Sequence, residues 1–88
     1  MAWRIEFTGA AQKQLKKLGH EEAKFILSFL RERIVPLENP RQLGKTLKGQ
    51  FAELWRYRVG NYRLICDVRD EELVVLVVRI GHRKNVYK

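Results

Sequence analysis

One cysteine, Cys66, stands in the whole chain, which excludes an internal disulfide and a cysteine-based zinc site. It lies in an apolar stretch, where a packed thiol is expected rather than a reactive one. No run approaches the roughly 20 apolar residues of a membrane-spanning helix, so no membrane partner is expected. The opening Met1-Ala-Trp-Arg-Ile-Glu lacks the apolar segment and cleavage site of a secretory signal, and the expected location is the cytoplasm. Repeats and low-complexity segments are absent. Only 88 residues are available, enough for a single domain over 1–88 and not for a second. With 45% hydrophobic residues the chain can still build one core between two layers, which excludes a disordered protein.

Acidic residues are also scarce, 10 against 18 Lys and Arg, for a net charge of +8. The surplus is local. Residues 1–40 carry seven cations and five acids, and residues 64–78 one cation and four acids. Residues 41–63 hold six cations and one acid, and residues 79–88 four cations and no acid. Charge collected in this way suggests a polyanion, of which nucleic acid is the commonest, with solubility alone as the plainer alternative.

Trp3, Ile5 and Phe7 alternate with polar residues and read as a first strand. Thr8 is an N-cap for a helix to Leu18, with Gly19 at its C′ position. A second helix runs from about Glu21 to Val35, its stripe made by Phe25, Ile26, Phe29, Leu30 and Ile34. Pro36 and Pro40 close this part. A basic loop over 41–49, with a short strand near Leu47, leads into a period of two. Leu54–Val59 and Tyr62–Val68 are strands joined by the two-residue turn Gly60-Asn61, and Leu73–Ile80 is an apolar strand suited to the middle of a sheet. The pattern predicts an α+β fold, β-α-α-β-β-β(β). It has two layers, a twisted antiparallel sheet with the first strand beside the last, and a helical hairpin packed on one face.

A two-residue turn makes Val59 face Tyr62 and Arg58 face Arg63. Alternation then puts Arg56, Arg58 and Arg63 on one side and Trp55, Tyr57 and Val59 on the other. The aromatic side belongs against the helices, which leaves three arginines on the open face. Like charges opposed across two strands are mildly destabilising, and guanidinium suits phosphate because its planar fork binds two oxygens. A solvated surface or a guarded sheet edge is the plainer alternative. The tail Gly81-His82-Arg83-Lys84-Asn85-Val86-Tyr87 shifts the balance. If Gly81 ends the strand and bends the chain, His82, Arg83 and Tyr87 lie over the same open face.

The run Leu54-Trp-Arg-Tyr-Arg-Val-Gly-Asn-Tyr-Arg63 and the tail Gly81-His-Arg-Lys-Asn-Val-Tyr87 together resemble the RelE toxins of bacterial and archaeal toxin–antitoxin pairs. The opening Trp-Arg-Ile-Glu-Phe, the helical hairpin and the Leu-Gly-Lys-Thr-Leu-Lys-Gly loop extend the likeness over nearly the whole chain. The resemblance implies a ribosome-dependent endoribonuclease that cuts mRNA in the A site without a metal or other cofactor. It implies that Arg63 stabilises the charged transition state, that Arg83 lies near the scissile phosphate, and that Tyr87 is the general base. Arg56 stands where a family member has a supporting lysine. Leu54 replaces another, for which Arg58 or Lys48 are possible substitutes. A phenol titrates near 10 in water and needs surrounding cations to act at neutral pH, so the imidazole of His82 competes for the role of base.

Lys45, Lys48 and Lys84 complete the candidate phosphate contacts, and Lys13, Lys16 and Lys17 are candidates for ribosomal RNA, each with a solvated side chain as its alternative. The implied partners are a cognate antitoxin with an acidic covering segment, the ribosome with its RNA, and the message. Two rival readings remain: a non-enzymatic toxin on the same scaffold, like the ParE proteins that bind DNA gyrase, and a basic nucleic-acid-binding module without catalysis.

Overall fold

The computed structural model describes residues 3–47 and 54–82. Strand β1 (Arg4–Phe7) leads into helices α1 (Gly9–Lys17) and α2 (His20–Phe29). A short strand β2 (Lys45–Thr46) and three longer ones follow: β3 (Trp55–Val59), β4 (Tyr62–Arg69) and β5 (Val74–His82). All five form one sheet in the order β1-β5-β4-β3-β2, so the first strand does lie beside the last. The α+β class and the helical hairpin are as the sequence predicts.

The expected all-antiparallel sheet is corrected in one pair. β1 runs parallel to β5, from Arg4↔Val74 to Phe7↔Val77, and the other three pairs are antiparallel. Three reversals carry the chain from β2 to β5, so β5 opposes β2. The helices and loop return β2 opposite to β1, and two opposites make a parallel pair. Hydrophobic alternation reads the same in either direction and does not carry this information.

The core lies between the helices and one sheet face. Ala11, Ile26, Leu30 and Ile34 meet Tyr57, Val59, Leu64, Cys66, Val75 and Val77, all essentially removed from water. Thr8 caps α1 by accepting the Ala11 N–H at 3.1 Å. The second helix extends to Ile34 as expected, but its last stretch, Leu30–Ile34, widens into a π turn in which the Val35 N–H donates to Leu30 O at 3.0 Å. Cys66 is wholly buried, and burial pushes its thiol well above the ordinary range, as befits a packed side chain.

Side-chain hydrogen bonds fasten the segment after the helices to the sheet. Tyr57 Oη donates to Pro40 O at 2.7 Å and Trp55 Nε1 to Leu43 O at 2.6 Å. Arg41 forks onto both Asp70 oxygens at 2.9 and 3.0 Å and reaches Val68 O at 3.2 Å. One cation of the basic loop therefore serves the fold.

Candidate nucleic-acid interface

The β3–β4 hairpin turns as the sequence predicts, with Val59↔Tyr62 and Arg58↔Arg63 in register. Gly60 takes φ +60° and is the only left-handed residue of its turn, the arrangement in which glycine is favoured at the first central position of a two-residue hairpin. A Cβ on Gly60 would lie 3.2 Å from the Phe25 ring, which closes over the turn. Tyr57 and Val59 are buried toward the helices, so Arg56, Arg58 and Arg63 face the other way. Arg58 is exposed while Arg56 and Arg63 are half-buried. Burial of Arg63 Nε keeps that guanidinium close to the sheet.

Lys45 stands opposite Arg56 and joins the same face. A second cation arrives from β5, one that strict alternation does not reveal. Ile65 pairs with Arg79, yet the next residue, Cys66, pairs with Val77. Val78 is thus an extra residue in β5. The insertion reverses the alternation of everything after it, as β-bulges do when they re-aim side chains. Val75 and Val77 point into the core, and an unbroken strand would send Arg79 after them. The bulge turns Arg79 out to solvent and Ile80 into the core. Helix α1 secures this stretch where β1 has ended: Thr8 Oγ1 donates to Val78 O at 3.0 Å, and the Ile80 N–H donates to Gln14 Oε1 at 2.7 Å. A signal does exist in the sequence. An arginine at an inward position of a central strand demands a break in register.

The same bulge corrects the expectation for the tail. Gly81 does not end the strand; it pairs with Arg63. His82 is the last residue of β5 and pairs with Tyr62, whose ring it meets edge-on at 6.1 Å between centroids. Tyr62 packs on the core cluster, so His82 lies on the helix side and not over the arginines. Lys48, Arg83, Lys84 and Tyr87 lie outside the described residues. Lys13, Lys16 and Lys17 are exposed on α1, in the layer behind the arginine face.

Across the open face two rows result. One runs Lys45, Arg56, Ile65, Arg79 and the next Arg58, Arg63, Gly81. Leu47, Ile65 and Leu54 form a small apolar cluster, and Gly81 beside Arg63 presents no side chain. Arg63 and Arg79 thus lie in neighbouring rows of the face, and guanidinium groups are flat, two-pronged donors suited to phosphate. Carboxylates lie toward the other end, where Asp67 and Glu72 contact Arg69 at 3.1 and 3.5 Å and Glu6 contacts Arg4 at 3.3 Å. Tyr57, the phenol of β3, is no candidate base. Burial pushes its phenol up, and its proton is engaged by Pro40.

Fold and site together define a small α+β domain whose exposed sheet face gathers cations around one hairpin. The chain belongs to the RelE/ParE toxins of type II toxin–antitoxin systems: residues 5–87 match the family described as ParE toxin of type II toxin–antitoxin system, parDE. Toxin RelG of Mycobacterium tuberculosis is 28% identical over 88 residues, 100% of this chain and 99% of that protein. The mRNA interferase toxin RelE of Escherichia coli is 33% identical over 86 residues, 96% of this chain and 86% of that protein. Among solved structures, a chain of the RelBE2 toxin–antitoxin complex of M. tuberculosis superposes with a TM-score of 0.84 at 28% identity, covering 94% of this chain and 100% of that one. A chain of the intact E. coli RelBE toxin–antitoxin complex gives 0.70 at 26% identity, with 92% and 96% covered.

Proposed function

We propose that this toxin is an endoribonuclease that cuts messenger RNA in the ribosomal A site. The observation that carries the reading is the opposition of Arg58 and Arg63 on an open face shared with Arg56, Arg79 and Lys45. Like charges opposed across two strands repel, and a phosphodiester lying across them offsets that repulsion. The name of the E. coli relative, mRNA interferase toxin, supports the same chemistry.

In the proposed reaction the substrate's own 2′-hydroxyl is the nucleophile. Its oxygen bonds to the adjacent phosphorus as its proton passes to a base, and the bond to the 5′-oxygen breaks. The products are a 2′,3′-cyclic phosphate and a 5′-hydroxyl once that oxygen takes up a proton. Charge builds on the phosphoryl oxygens, and preformed cations are the most effective way to stabilise it. Arg63 takes that role, Arg83 acts at the scissile phosphate and leaving oxygen, and Arg56, Arg58, Arg79 and Lys45 hold the flanking backbone, joined by Lys48 and Lys84. Tyr87 is the base. His82, placed on the helix side of β5, is less well situated for it. No metal is needed, because the arginines supply the positive charge. The toxin acts in the cytoplasm and is held by an antitoxin that covers the arginines with an acidic segment; the neighbouring solved structures, toxin–antitoxin complexes, support this partner.

A second reading, a non-enzymatic toxin that binds DNA gyrase, draws support from the ParE name of the matching family. Incubation with programmed ribosomes separates the two. The nuclease reading expects new message ends within the A-site codon, and intact message beside inhibited gyrase would replace it with the second.

A further inference from the structure

Among the described residues, β2 pairs with the outer edge of β3 at Trp55 and Arg56. Beyond that point a cleft of about 380 Å³ opens between the sheet edge and the end of the second helix. Arg33, Lys45, Arg56 and Arg58 line it together with Phe29 and Tyr57, and no carboxylate residue is among the described residues lining it. Gly44, also in the lining, lets the loop approach β3: a Cβ there would strike the Arg56 carbonyl oxygen and lie 2.7 Å from Trp55 Nε1.

We propose that this cleft is a nucleotide subsite for single-stranded RNA continuing off the arginine face, with Arg33 as its anchor. Arg56 and Arg58 line the cleft and also belong to the open face, so the two places adjoin along β3. Arg33 lies in the π turn, its guanidinium 6.0 Å above the centre of the Phe29 ring. A planar cation held over an aromatic ring is a flat platform on which an unpaired base stacks. Its free donors meet the adjoining phosphate. No contact within the core needs an arginine here, since Arg33 is exposed. The ligand class rests on the nuclease reading. The RNA comes either from the message or from the ribosome, and the experiment tells these apart.

The test uses the full-length toxin and a short single-stranded RNA made uncleavable by 2′-O-methylation, with binding followed by anisotropy over a range of salt. Arg33→Ala is expected to weaken binding about tenfold and to lower the salt slope by about 0.7, the contribution of one phosphate contact to a single strand. Arg33→Lys is expected to keep the slope and still lose affinity. Arg31→Ala, on the same turn but lining a different groove with His20 and Lys24, removes an equal charge as a control. Weakened binding of the short RNA assigns the cleft to message. Weakened binding to vacant ribosomes alone assigns it to ribosomal RNA. Unchanged affinity for both, or a loss confined to antitoxin binding, overturns the subsite. Because the probe cannot be cut, this result is independent of whether the wild-type toxin cleaves message.

Discussion

The two ends of the sheet differ in the neighbours that the described residues bring to their cations. Near the β4–β5 turn, Arg4, Arg41 and Arg69 each meet a carboxylate. Near the β3–β4 turn, Arg58 faces Arg63, with Arg56, Lys45 and Arg79 in the adjoining row. Arg69 lies six steps along β4 from Arg63, about 20 Å at roughly 3.3 Å per residue. That exceeds the Debye length of about 8 Å at physiological salt, so the acids at one end do not cancel the field at the other. A face built for solubility alone would intersperse its signs. The cations gathered at the β3–β4 end by the described residues would concentrate anions at that place.

Removing the central charge tests the comparison most severely. Arg63→Ala is expected to cut single-turnover cleavage on programmed ribosomes by about 10²–10³-fold, the usual cost of one transition-state donor. Its melting temperature should stay close to that of the wild type; a marked fall would make Arg63 a structural residue. Tyr87→Phe should slow the same step by about 10²-fold, the lower range for a lost general base. His82→Ala should do less, and the reverse order of the two rates would hand the base role to the imidazole.

Making the cationic end resemble the acidic one is the next test. Arg58→Glu gives Arg63 a carboxylate across the strands and should stabilise the fold by a few tenths of a kcal/mol, about the value of an opposite-charge pair in a sheet. It should also weaken RNA binding about tenfold through the loss of one phosphate contact and the added repulsion. Tighter binding in that variant would count against a phosphate-gripping face.

Effects on the scaffold should be smaller. Thr8→Ala removes both the α1 cap and the Val78 contact, and Gln14→Ala leaves the Ile80 N–H without its acceptor. Each should cost about 1–2 kcal/mol in denaturant unfolding and loosen the segment that presents Arg79. Asp70→Asn should matter least. Its hydrogen bond with Arg41, the largest influence on it, holds the Asp70 carboxyl below the ordinary carboxylate range. The stabilisation is therefore present above the unfolded value near 4 and fades as pH falls through the lower folded one. Both side chains are well exposed, so solvent screening keeps the contribution under about 1 kcal/mol. Urea titrations at neutral and low pH check the direction, and RNA affinity should not change.

Much of this is legible in the residues. Alternation in 54–68 and the Gly60-Asn61 turn are local properties, and they alone suffice to assign Arg56, Arg58 and Arg63 to one face. The apolar run 73–80 marks the central strand, and the stripe from Ile26 to Ile34 marks the buried helix face. The parallel direction of β1 is not legible, since it depends on the sum of reversals along the whole chain. The positions of Arg79 and His82 are hidden for another reason. Strict alternation carried through Val78 misplaces both, because one inserted residue exchanges the two faces. The cleft at Arg33 is hidden because its lining comes from helix, loop and strand, parts that no sequence window holds together.

By itself, the sequence decided which segments become strands and helices and that one sheet face would be basic, because each follows from side-chain periodicity within a few residues. Only the tertiary structure decided which cations share that face and which histidine leaves it. A bulge is held by partners on another element, Thr8 and Gln14 of the α1 region, and its effect on every later side chain depends on those distant contacts.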